Sequence, residues 1–159
     1  MGAINNAFNQ AAGAAAGAML AIKHAQETDF SKAISAENAA LIARNQSREA
    51  TAEANEASNE AGKDGGLIEQ LADASTNRVY AEKKYNEAAN RKNGSEATMY
   101  KKLTDLWAAQ EAERTLKDKY QAIIDLKNRA AEQRAHADKA TQLAEKAQQK
   151  YQSKWGGIK

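Results

Sequence analysis

The chain has 159 residues, no proline and no cysteine, and its 23 Lys and Arg residues nearly balance its 21 Asp and Glu residues. The missing cysteines exclude disulfides and thiolate metal sites, and a net charge of +2 does not by itself indicate a polyanion-binding protein. Alanine has the highest helix propensity and proline breaks helices, so the composition predicts an all-α fold of long, elongated helices with much surface in water.

Residues 1–27 form the first predicted element, an Ala- and Gly-rich helix whose first charged side chain is Lys23. Gly13 and Gly17 make a GxxxG pattern that favours close contact between helices, and Ile4 and Phe8 extend an apolar face. The apolar run 11–22 is too short to span a membrane stably and lacks the basic flank of a signal peptide. Two interpretations stay open: the helix packs only against protein, or it also contacts a membrane transiently.

Residues 28–62 form the second predicted element, a helix starting near Asp29 or Ser31, either of which is a suitable N-cap. Small residues recur three and four apart along it, and we call this set the alanine seam: Ala33, Ala36, Ala40, Ala43, Ser47, Ala50, Ala54, Ala57 and Ala61. Small side chains let helix backbones approach closely, so the seam predicts side-by-side packing in a multi-chain assembly. The alternative is a chance register in an alanine-rich helix.

Residues 63–94 contain a linker and a third helix, and residues 95–159 a fourth, long helix with a short Gly-containing tail. The break at "GKDGG" (62–66) precedes a helix from Leu67 to the Asn93-Gly94 turn, and Ser95 is the expected N-cap of the last helix. An apolar stripe along the last helix predicts a helical hairpin or coiled-coil-like bundle, although Glu113 falls on it. The residues expected to anchor the hairpin are Leu67, Leu71, Val79, Tyr80 and Tyr85.

Basic and aromatic residues are interleaved around the Asn93-Gly94 turn. Such a mixture can hold phosphates and stack bases, which indicates contact with nucleic acid such as genomic DNA. The alternative is a basic turn whose tyrosines pack the hairpin. The cations are Lys83, Lys84, Arg91, Lys92, Lys101 and Lys102, and the tyrosines are Tyr80, Tyr85 and Tyr100.

The sequence contains no recognisable catalytic motif. The two histidines, His24 and His136, are far apart and belong to no metal-binding motif, and the carboxylates are dispersed as on charged helix faces. We therefore predict a protein that is not an enzyme, with no catalytic residues, no metal site and no cofactor.

The order of segments along the chain is distinctive. An uncharged N-terminal stretch, "MGAINNAFNQAAGAAAGAMLAI", is followed by polar helical segments such as "ARNQSREATAEANEASNEAG". The chain resembles the small internal virion (ejection) proteins of short-tailed bacteriophages, and is similar in plan to the DNA pilot proteins of small single-stranded-DNA phages. The resemblance covers the arrangement of the whole chain and no aligned motif.

The resemblance implies a structural protein of the genome-ejection apparatus, located in the virion and, after delivery, in the host envelope. It implies homo-oligomers, portal or other ejection proteins as partners, and assembly into a conduit or a portal-associated layer. Two alternatives are a purely structural capsid, portal or tail component without membrane contact, and a nucleic-acid-binding helical protein.

Overall fold

A computed structural model describes residues 2–156 as three long α-helices, and 93% of these residues are helical. Helix α1 spans Gly2–Gly62, α2 spans Leu67–Ala89 and α3 spans Glu96–Trp155. No strand occurs in this range, so the predicted all-α class is confirmed. Gly157, which belongs to the expected Gly-containing tail, lies outside the described residues.

Helix α1 passes without a break through Thr28, where a separate helix was expected to begin. No glycine or proline occurs between residues 18 and 61, so nothing in the sequence interrupts the backbone hydrogen bonds there. Asp29 and Ser31 both lie inside α1, so the expected N-cap role is wrong for both, and the Asp29 side chain makes a long-range contact instead.

The turn between α1 and α2 depends on two glycines. Gly65 has φ +71°, a left-handed conformation that glycine adopts without a Cβ penalty. At Gly66 a Cβ atom would lie 2.6 Å from the carbonyl oxygen of Glu60. Glu69 secures the start of α2, since its Oε2 accepts a hydrogen bond of 2.6 Å from the Gly65 N–H.

The turn between α2 and α3 follows the predicted boundaries closely. Helix α2 ends at Ala89, with Asn90 as its C-cap, and the turn runs to Ser95. Ser95 acts as the expected N-cap, because its Oγ accepts a long hydrogen bond of 3.4 Å from the Thr98 N–H.

The described contacts group into two compact units. Among the described residues, the first combines 2–47 with 133–156, and the second consists of 48–132. In the first unit, α1 meets α3, with Phe30 against Tyr151 at 5.4 Å between ring centroids. In the second, Arg78 of α2 contacts Glu113 of α3 across the hairpin.

Small residues make up most of the buried surface in both units. The buried apolar residues are Ala33, Ala40, Ala43, Ala54, Ala61, Ala74, Leu106, Ala130, Ala137 and Trp155. No large side chain among residues 2–156 is completely shielded from solvent. Of the expected hairpin anchors, Leu67, Leu71 and Tyr85 are half-buried, whereas Val79 and Tyr80 are exposed, so the prediction is wrong for those two.

Candidate functional site

The alanine seam is the buried face of α1. Ala33, Ala40, Ala43, Ala54 and Ala61 are buried, as is Ser47, and Ala36, Ala50 and Ala57 are half-buried. Almost every residue between these positions is exposed. The seam is covered within the single chain, so it serves as an intramolecular packing surface before any contact between copies.

The first 23 residues of α1 have no such cover. Every residue from Gly2 to His24 is exposed, and nothing described approaches a Cβ atom placed on Gly13 or Gly17 within 4 Å. The predicted packing role of the two glycines is therefore not fulfilled within the chain, and it stays a prediction about a partner.

Two different faces run along this uncovered segment. At about 100° per residue, most of the large apolar residues and two alanines fall within an arc of roughly 80°, whereas Leu20 lies outside it. We call the residues of this arc the N-terminal stripe: Ile4, Phe8, Ala11, Ala15, Met19 and Ile22. Gly13 and Gly17 lie on the opposite side of the helix, which we call the glycine face and which also carries Asn6, Gln10 and Leu20. The N-terminal stripe shares its direction with Ala33 and Ala40, so it continues the alanine seam beyond the part that α3 covers.

A polar and aromatic contact marks where this cover begins. The Trp155 indole N–H donates a hydrogen bond of 2.8 Å to Asp29 Oδ2, and the Lys154 Nζ lies 3.2 Å from the same oxygen. Hydrogen bonding to the indole, followed by the nearby Lys154 charge, lowers the pKa of Asp29 below its ordinary value. Sequence reasoning missed this contact, because its partners are separated by 126 residues.

A second ion cluster joins α2 to α3. Glu113 is buried, and its carboxylate oxygens lie 2.7 Å from Arg78 Nε and 2.8 Å from Lys117 Nζ. Hydrogen bonds from Lys117 and then Arg78 lower the pKa of Glu113. The Lys117 contact follows from its i,i+4 spacing. The sequence signal for the Arg78 contact was the single carboxylate on the apolar stripe of α3.

The six basic residues near the α2–α3 turn do not form one cluster. Three of them line a cavity of about 300 Å³, which we call the hairpin-tip cavity. Lys83 lies in a different concavity beside Val79 and Glu82, and Lys92 and Lys101 are exposed outside both. The hairpin-tip cavity is lined by Tyr80, Lys84, Glu87 and Ala88 of α2, by Arg91 of the turn, and by Thr98 and Lys102 of α3.

The cations of the hairpin-tip cavity differ in their partners. Lys84 Nζ lies 3.5 Å from Glu87 Oε2 and 5.4 Å from the centroid of the Tyr80 ring. Arg91 and Lys102 form no ion pair with any carboxylate among residues 2–156. The cavity thus presents two cationic groups that the described part of the chain does not neutralise.

Within 2–156, no group of three or more His, Asp or Glu side chains is placed to hold a metal ion. No helix in the same range contains a stretch that is both long and apolar enough to cross a membrane.

Comparisons with known proteins returned no match: no family model, curated protein or solved structure is similar to this chain.

Proposed function

We propose that the protein is a structural subunit of a phage genome-ejection apparatus, whose copies pack side by side through residues 2–24 into a conduit or portal-associated layer. The phage role rests on the resemblance in plan. The packing role is supported by one observation, a 23-residue helical segment that is exposed on all sides. Its expected partners are further copies of the chain and other virion proteins, such as the portal.

An uncovered helix of this kind gains stability from a partner. Glycine costs about 1 kcal/mol relative to alanine inside a helix, so Gly13 and Gly17 weaken the segment when it is alone. Phe8 is 75% exposed and Met19 is 71% exposed. Burying such side chains contributes roughly 1.5–3 kcal/mol each, which favours association. No charged side chain precedes Lys23 to oppose it.

The two faces of the segment suit each other. The N-terminal stripe carries the bulky side chains of Phe8 and Met19, and the glycine face has no side chain at Gly13 and Gly17. The stripe of one copy therefore fits into this gap on the next copy. Because the two faces differ and point in opposite directions, the contact repeats from copy to copy. Repeated contacts between unlike faces generate rings or open filaments, as a conduit or a layer requires.

Native mass spectrometry of the full chain tests the packing. We expect oligomers of the wild type, and monomers for Phe8→Gln/Met19→Gln and for Gly13→Leu/Gly17→Leu. The second variant has a higher helix propensity than the wild type, so its loss of assembly cannot be attributed to a weaker helix. The matched control, Ala14→Gln/Ala21→Gln, alters positions between the two faces and should leave the oligomers intact. Unchanged oligomers in both face variants would refute the proposed contact.

Two further measurements separate the virion role from its alternatives. Mass spectrometry should detect the chain in phage particles that still contain the genome, and should no longer detect it in particles that have released the genome. Leakage from phosphatidylethanolamine–phosphatidylglycerol vesicles should follow addition of the assembled protein. A chain that stays in emptied particles and leaves vesicles intact fits instead a purely structural capsid, portal or tail component.

A further inference from the structure

We propose that the hairpin-tip cavity binds the phosphodiester backbone of single-stranded nucleic acid, with one base stacked on Tyr80. This site lies within residues 48–132 and uses none of the residues assigned to packing between copies. It is therefore a second binding function, independent of the proposed assembly.

Local charge favours a polyanion at this position. Lys84, Arg91 and Lys102 line the cavity together with one carboxylate, that of Glu87, so the lining carries a net charge of +2. Glu87 contacts Lys84, which leaves Arg91 and Lys102 to meet phosphates. Thr98 belongs to the first turn of α3, where the positive end of the helix dipole adds to the attraction.

Charge is also concentrated over the wider hairpin end. Residues 80–102 contain six Lys or Arg side chains and three Glu side chains, a net charge of +3 in 23 residues, whereas the whole chain carries only +2. Such a local excess attracts the backbone of a nucleic acid over a range set by the salt concentration.

The exposed tyrosines indicate a base-stacking role. Tyr80 is 61% exposed and Tyr100 is 65% exposed, so neither packs the hairpin as the alternative interpretation required. The Lys84 ammonium lies over the Tyr80 ring, so a cation and an aromatic face are presented together. Cations beside exposed aromatic rings are the combination with which proteins hold single strands.

A single strand fits these features better than a duplex. The bases of a duplex are stacked on each other and offer no free face to Tyr80, whereas an unpaired base does. The cavity of about 300 Å³ is at the small end of ligand pockets, which suits one nucleotide of a strand that passes over the hairpin end.

Fluorescence anisotropy with a labelled oligothymidine of twenty nucleotides tests the site. Two phosphate contacts, from Arg91 and Lys102, predict an affinity about sevenfold weaker at 200 mM than at 50 mM salt. The variant Lys84→Gln/Arg91→Gln/Lys102→Gln should lose most of this binding and of its salt dependence. Tyr80→Leu should weaken binding about fivefold or more at constant salt, through the lost stacking.

Matched controls define the outcomes that overturn the proposal. The variant Lys119→Gln/Lys127→Gln/Arg129→Gln removes three exposed cations from α3 in the same unit, and it should bind as the wild type does. Equal loss in both triple variants means attraction by net charge alone, which refutes a site. Equal affinity for linear polyphosphate of the same number of phosphates refutes the recognition of nucleic acid, and stronger binding of a duplex refutes the single strand.

Photo-crosslinking of the wild-type protein provides a readout that needs no variant. An oligonucleotide containing 4-thiothymine should form adducts within residues 80–102, identified by peptide mass spectrometry. Adducts found only outside that range would overturn the proposal.

Discussion

Asp29 holds the end of α3 against α1 through two donors of different kinds. The Trp155 indole N–H donates to its Oδ2 at 2.8 Å, and Lys154 adds a charged contact at 3.2 Å. Both interactions favour the ionised carboxylate, which is why the pKa of Asp29 lies below its ordinary value of 3.8. The contact links the protonation of one side chain to the packing of the two helices.

The lowered pKa gives a pH dependence with a definite sign. The folded state binds the Asp29 proton less tightly than the unfolded state, so the stabilisation is complete above about pH 4 and is lost as the pH falls through the folded pKa. We expect Asp29→Asn to lower the Tm at pH 7 by a few degrees. Circular dichroism should show this difference shrinking below about pH 4, where the wild-type carboxylate is protonated too.

Asp138→Asn is the matched control for this experiment. Asp138 is an exposed carboxylate of α3 in the same unit and forms no ion pair within residues 2–156. Its Tm should stay close to that of the wild type at pH 7. A constant Tm difference between Asp29→Asn and the wild type from pH 7 to pH 3 would contradict the assigned role of the carboxylate.

Individual residues were predictable from sequence where their partners are local. Ser95 caps α3 as its position before the helix suggested, and Lys117 meets Glu113 at the i,i+4 spacing that favours ion pairs on a helix. Asp29 was assigned to a cap for the same local reason, and that assignment is wrong. Its partner Trp155 lies 126 residues away, and no single-sequence rule identifies a contact at that separation.

At the scale of the helix, α1 packs through alanine where most coiled coils use larger residues. Each buried alanine removes little apolar area from water, so the seam depends on close approach of the backbones rather than on large side chains. Close approach also leaves no room for a larger side chain. The seam should therefore tolerate additions of volume poorly, although no single position contributes much by itself.

A pair of substitutions tests this expectation. Ala43 is 3% exposed, so Ala43→Leu should force the helices apart and destabilise the chain by about 1–3 kcal/mol. Ala39→Leu introduces the same side chain at an exposed position of the same helix, where the change should stay within about 0.5 kcal/mol. Urea denaturation followed by circular dichroism measures both. Equal stability of the two variants would show that the seam is not tightly packed.

Helix boundaries and the buried face followed from the sequence for most of the chain. The spacing of small residues predicted which face of α1 is buried, because a three–four repeat aligns side chains on one side of a helix. The seam was interpreted as a contact between chains, whereas the structure covers it within one chain. The spacing of the small residues shows which face of α1 is buried. It does not show whether the helix that packs against this face belongs to the same chain or to another copy.

For the molecule as a whole, the two candidate surfaces differ in what the sequence revealed. The sequence showed that no charged side chain precedes Lys23, but only the structure shows that nothing described covers residues 2–24. Six basic residues near one turn suggested a nucleic-acid contact, and the structure selects three of them for one cavity. The direction in which each side chain points decides which of the six residues reach the cavity. This direction cannot be read from the order of residues in the sequence.

Amide hydrogen exchange along the whole chain tests which parts of α1 are packed against other residues and which are not. At dilution, amides of residues 2–24 should exchange much faster than those of the alanine seam, because a helix without tertiary contacts opens at a free-energy cost near zero. Raising the protein concentration should slow exchange in 2–24 alone, as copies cover the N-terminal stripe and the glycine face. Gly13→Leu/Gly17→Leu should remove this concentration dependence, since the glycine face then admits no neighbour. Protection of 2–24 equal to that of the seam at every concentration would mean that a surface other than these two faces stabilises the segment.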